Sequence, residues 1–183
     1  MTAVADTTTQ IRVATTPAEI HAARSLVHRV NLQDLGYGYD PVWHRDLDLA
    51  YETYVLTRRN LMLVAVADGQ VLACGGLRVG FPQTCLPLRQ RYPDPRRVLQ
   101  VVRVATDPRA RRQGLARRVV EQLIDAARRD HEASVLYLHT NARYPGAVDF
   151  WTALGGRVVL DERDTSGDPR LSTVHLEIPL RRA

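Results

Sequence analysis

Residues 111–116 read Arg-Arg-Gln-Gly-Leu-Ala, an order of residue types suited to holding an oxyanion. Each guanidinium of Arg111 and Arg112 can present paired N–H donors to phosphate oxygens. Gly114 lets the backbone come close to a ligand, and Ala116 keeps the next turn small. Val119, Val120, Leu123, Ile124 and Ala127 recur at helical spacing and predict a helix over 115–129. The loop would then sit at a helix N-terminus, where unsatisfied N–H groups and the helix dipole favour negative charge. A basic string at a helix start is common on solvated surfaces, so the elements around it decide what it means.

Upstream, the Val-rich residues 98–106 closed by Asp107-Pro108 predict a buried strand. Downstream, residues 134–140 predict another, with Tyr137, His139 and Asn141 on one face and Leu136, Leu138 and Thr140 on the other. A helix over 145–154 stops at Gly155-Gly156, and residues 157–160 and 171–180 predict a closing strand pair around a polar turn at 164–169. Before the central strand come a short strand at 10–14 and a helix entered through Thr16-Pro17, with Ile20, Ala23, Leu26, Val27 and Val30 on its apolar face. Asp40-Pro41 starts a second helix running to about residue 58, and 61–67 with 71–79 form a hairpin around Asp68-Gly69. Residues 81–95, with four prolines, read as a long connection bordering the active site. This order predicts an α/β sandwich with a mixed sheet, one domain over 10–183 behind a flexible lead at 1–9.

At 183 residues and 45% apolar composition, the chain can bury one core. No window approaches the ~18 to 20 apolar residues of a membrane span, and the start lacks secretory-leader features, so the expectation is a cytoplasmic protein without a membrane partner. Cys74 and Cys85 read as structural thiols. His21, His28, His44, His131 and His175 show no metal-ligand spacing and read as structural or exposed, so no metal is expected. The net charge of +5 suits an anionic ligand without naming it. All 25 basic residues are arginines spread along the chain rather than interleaved with aromatics, which argues against nucleic acid.

The run 102–116 resembles the signature of the GNAT superfamily of acyl-CoA-dependent N-acyltransferases, in which a strand ending in x-x-Pro is followed by R/Q-x-x-G-x-G/A. Residues 138–140 through 147–156 are similar to that family's fifth strand and following helix. The resemblance implies a mixed, mostly antiparallel central sheet of about seven strands flanked by about four helices. It implies acetyl-CoA as donor, with backbone groups of Val104, Ala105 and Thr106 on the pantetheine arm and Arg111, Arg112, Gln113, Gly114, Leu115 and Ala116 on the pyrophosphate. It further implies direct attack by a primary amine, first a small molecule's. A protein or peptide amine, another acyl-CoA and CoA binding without catalysis are the alternatives, and a homodimer is compatible with all of them.

The chain departs from the family pattern at Trp151, where many members carry a Tyr that protonates the leaving thiolate. An indole has no transferable proton, so Trp151 is left to contact the thioester or to pack the helix onto the sheet. Tyr144, at a position where the family often has a cofactor-contacting Asn, becomes the replacement acid, with water or the released amine proton as the alternatives. His139 becomes the base, because a catalytic Glu aligns there in the branch resembling ribosomal-protein N-terminal acetyltransferases; hydrogen bonding within the sheet is the competing role. Arg103 either holds an acidic substrate or snorkels to the surface. Tyr37, Tyr39 and Trp43 form a cleft wall or pack the first helix junction.

Overall fold

A computed structural model describes residues 9–36, 38–163 and 172–180. Residues 1–8 of the expected lead, Tyr37, the polar turn at 164–169 and the start of the last strand at Leu171 lie outside the described residues. The strands are β1 (Gln10–Val13), β2 (Leu61–Ala67), β3 (Gln70–Val79), β4 (Val98–Thr106), β5 (Val135–Asn141), β6 (Arg157–Asp161) and β7 (Thr173–Pro179). They form one sheet in the order β1-β2-β3-β4-β5-β7-β6, in which only β4 and β5 are parallel.

Strand alternation separates two cores. Leu63, Ala65 and Ala73 face α4 (Leu115–Arg129) and α5 (Ala147–Ala153), whereas Val64 and Cys74 face α1 (Pro17–Val30) and α2 (Arg45–Asp48). Thr16 and Glu19 cap α1 reciprocally, with Pro17 in its first turn. The helix then widens into a π turn, Asn31–Leu35.

Two expected elements differ. The single second helix expected after Asp40 is instead α2 followed by a separate π turn, Glu52–Leu56. Asp40 Oδ1 accepts the N–H groups of Val42 and Trp43, at 2.9 and 3.0 Å, which holds 41–44 as a turn and delays the helix to Arg45. The Pro-rich connection contains α3 (Leu86–Arg91), with Pro87 in the first turn, where its missing N–H costs nothing. Six residues are less than two turns, too few for periodicity to mark. Leu88 and Tyr92 pack with Phe81, Val98 and Tyr137 in a third, smaller core.

The feature that shapes the site is a bulge in β4. Cys74 pairs with Ala105 and Gly76 with Val102, so Arg103 and Val104 together oppose Gly75. Arg103 has φ 58°, a left-handed conformation that its side chain holds in place. Its Nε donates to Asp46 at 3.0 Å, and Nη2 donates to Asp46 and to the Trp43 carbonyl. Tyr54 also donates its hydroxyl to Asp46. Burial acts to raise the Asp46 pKa, but the bonds from Arg103 and Tyr54 outweigh it and hold the carboxyl below its ordinary value. Arg103 therefore braces β4 against α2.

Replacing Asp46 with Asn leaves Arg103 with a buried charge and no counter-charge at that position. The substitution should cost about 3–5 kcal/mol, read by chemical denaturation near neutral pH. Because the native pKa is lowered, this stabilisation is present above the ordinary carboxylate range and lost as pH falls through the native value. The gap between the wild type and Asp46→Asn should therefore narrow in acid.

Candidate active site

Strands β4 and β5 are paired at only three positions, Val98↔Val135, Leu99↔Leu136 and Gln100↔Tyr137. Beyond Gln100 they part, and β4 keeps a strand partner only on its β3 edge. Along residues 101–106, which include the expected Val104, Ala105 and Thr106, the β4 edge facing away from β3, one side of the V that opens, has no strand partner among the described residues. The Ala105 side chain is buried in the core and Val104 packs against the opposite core. Thr106 Oγ1 is buried and has no hydrogen-bond partner, an unsatisfied group at the end of the strand.

The loop that follows is held from its base. Asp107 is buried and accepts from the Arg109 N–H and side chain and from Arg29 of α1. The Arg109 side chain leads the effects that hold its carboxyl down at about 2. Arg112 and Gly114 both have positive φ, 62° and 71°. Gly114 is the N-cap of α4 and gives it no side-chain cap, so the first-turn N–H groups stay open to an anion. Leu115 is buried in the core and offers its backbone alone, Ala116 is half-buried, and Arg112 and Gln113 are exposed.

Arg111 turns inward. It pairs through both terminal nitrogens with Asp34, on the π turn after α1, and Tyr144 donates its hydroxyl to the same carboxylate. Asp34 thus ties the end of α1 to the phosphate loop and to the loop after β5. Burial and the Asp34 carboxylate push the Tyr144 phenol up to about 12. Sequence reasoning missed Asp34, which no local pattern marks.

His139 lies where β5 has left β4, with its ring open to solvent through the V although protein surrounds it on the other sides. That enclosure, then His175, Arg103 and Arg78, lower its pKa to about 4. Its Nδ1 is 3.4 Å from both Gln100 Nε2 and Tyr137 Oη. Trp151 is 7% exposed and sits in the core edge-on to Phe150, centroids 5.1 Å apart, which is a packing environment. Tyr39 stacks on His44 and donates to Asp48, so it packs the junction of α1 and α2. Tyr37 is outside the described residues.

The family model for GNAT acetyltransferases matches residues 27–155, from α1 through the phosphate loop to the end of α5. The chain belongs to this family. Solved structures agree in fold: an N-acetyltransferase from Staphylococcus aureus Mu50 has a TM-score of 0.72 at 17% identity, covering 95% of this chain and 99% of that one. The ribosomal-protein-S18-alanine N-acetyltransferase from Escherichia coli gives 0.66 at 17% identity, with 96% of each chain covered. The protein yncA from Salmonella typhimurium, solved with its cofactor acetyl-CoA, gives 0.67 at 17% identity, also with 96% of each covered. No curated protein matches the chain significantly. This GNAT protein is an acyltransferase of a family that uses acetyl-CoA. The open β4 edge, the orphaned Thr106 hydroxyl and the uncapped start of α4 fit a ligand that combines an amide-bearing arm with a pyrophosphate. No helix among the described residues is long and apolar enough to cross a membrane.

The Tyr144 environment is directly measurable. In Asp34→Asn the carboxylate that stabilises the neutral phenol is gone, so the Tyr144 pKa should fall from about 12 towards the ordinary tyrosine value. Difference ultraviolet titration against the wild type reads that shift.

Proposed function

We propose that this acyltransferase moves an acetyl group from acetyl-CoA to the primary amine of a small molecule by direct attack. The observation that carries this reading is the V between β4 and β5, which has an anion-binding helix start at one end and His139 inside it. The bonds from Arg111 and Tyr144 to Asp34 draw the end of α1 against both loops, and a narrowed entrance favours a small acceptor over a folded protein. The pyrophosphate lies on residues 111–116, taking the open main-chain N–H groups and the exposed Arg112 while Arg111, held by Asp34, braces the loop, and the pantetheine arm lies along residues 104–106.

The acceptor enters as its neutral amine. Its lone pair attacks the thioester carbon, open N–H groups on the β4 edge steady the charge that grows on its oxygen, and His139 takes the proton that the new C–N bond makes acidic. That proton passes to the leaving sulfur as the C–S bond breaks. Tyr144 acts here as a brace for Arg111 in place of the acid role expected for it, since a phenol held near 12 is a weaker acid than the thiol it would have to form. Trp151 contacts the donor only through the helix that it packs onto the sheet.

Thiol release and product mass, followed across a pooled amine library, test the activity. His139→Ala should lower kcat/KM on the order of 100-fold with little change in KM for acetyl-CoA. Unchanged turnover would remove His139 as the base. Because His139 titrates near 4, the wild-type rate should show no His139 limb around neutrality and should rise with pH as the acceptor amine deprotonates. Arg111→Ala should weaken CoA binding about tenfold by calorimetry.

A further inference from the structure

A row of hydrogen-bonding side chains runs through the sheet to His139. The β5–β7 register sets His139 opposite His175, and Tyr137 lies two residues before His139 on the same face. Tyr137 is fully buried and His175 is 4% exposed, so the polar atoms of both must find protein partners. Tyr137 Oη is 2.7 Å from His175 Nδ1, and His175 Nε2 is 2.8 Å from the carboxylate of Glu162, just past the end of β6.

The direction of each bond follows from the outer end. An ionised carboxylate only accepts, so His175 Nε2 carries the proton. With His175 neutral, its Nδ1 is a lone pair, and Tyr137 must donate to it. That uses the one proton Tyr137 has and leaves its oxygen as an acceptor towards His139 Nδ1, 3.4 Å away. Tyr92, which packs against Tyr137 from α3, gives its own hydroxyl to Glu177 at 2.7 Å and does not enter the row.

We propose that Glu162, His175 and Tyr137 are positioning residues that hold His139 as its Nδ1–H tautomer, so that Nε2 offers its lone pair to the cleft. This rests on the reading of His139 as the base. When the attacking amine gives up its proton, its N–H bond breaks and a new one forms at Nε2. Nδ1–H stays on His139 and remains hydrogen-bonded to Tyr137. The other groups facing the imidazole are Arg78 from β3 and Gln100 and Arg103 from β4. Arg78 Nε donates to Gln100 Oε1 at 3.1 Å, which aims the Gln100 amide N–H at the same Nδ1. Removing the Tyr137 hydroxyl therefore hands Nδ1 to Gln100 as an acceptor and moves the proton to Nε2.

Long-range proton–nitrogen NMR of the full chain labelled with 15N-histidine, recorded well above the imidazole titration range, reads the tautomer without turnover. The wild type should carry the His139 proton on Nδ1, and Tyr137→Phe and Glu162→Ala should both shift it towards Nε2. Both variants should lose kcat/KM on the order of tenfold or more, with KM for acetyl-CoA unchanged. Glu162 is at the surface end of the row, so its variant keeps the test open if Tyr137→Phe fails to fold. A wild-type His139 protonated on Nε2, or a tautomer unmoved in the folded variants, overturns the proposal. Failure of the base reading shows up separately, as unchanged turnover in His139→Ala.

Discussion

A strand edge can be satisfied by another strand or by a ligand, and β4 gives only the first part of one edge to a strand. Over its first three residues it pairs with β5; beyond Gln100 that edge belongs to the cleft. Within the stretch that has left its neighbour, the extra residue at Arg103 bends the strand, and what makes a left-handed arginine tolerable there is the buried carboxylate of Asp46. That ion pair governs the course of the free part of β4. It also joins the two halves of the molecule, since Asp46 lies on α2 and Arg103 in the middle of the sheet.

The charges near the cleft are arranged less simply than the net charge suggests. Arg111 is bound to Asp34, Arg103 to Asp46 and Arg109 to Asp107, so these three cations around the cleft each have a carboxylate partner. What the start of α4 offers an anion is its main-chain N–H groups and the exposed Arg112. Pairing also limits the cost of burying Arg103, because a guanidinium taken out of water alone is far more costly than one taken with its counter-charge.

Much of this was legible in the sequence because it is local. The loop proposed to hold phosphate is six consecutive residues, and its strand and helix carry their own periodicities. The bends around Asp40 and within 81–97 were harder. At Asp40 a side chain competes with the helix for backbone N–H groups, and α3 is shorter than the window in which a period can be seen. Contacts across the sheet were out of reach. His175 showed no spacing to mark it, and its place beside His139 depends on the β5–β7 register. Asp34 meets Arg111 and Tyr144 from 77 and 110 residues away. Arg103, open between a substrate role and a surface one, proved to be internal bracing.

The one parallel pair in the sheet carries a topological consequence. Antiparallel neighbours can be joined by a tight turn at the same end, but two parallel strands require the chain to travel back along the sheet before the second begins. Between β4 and β5 that return is α4, so a helix must start where β4 finishes. The strands also separate towards that end. Connectivity alone thus places the positive end of a helix dipole beside the widest part of the gap, before any side chain in the loop is chosen. Arg111, Arg112 and Gly114 refine a site whose location follows from the order of the strands.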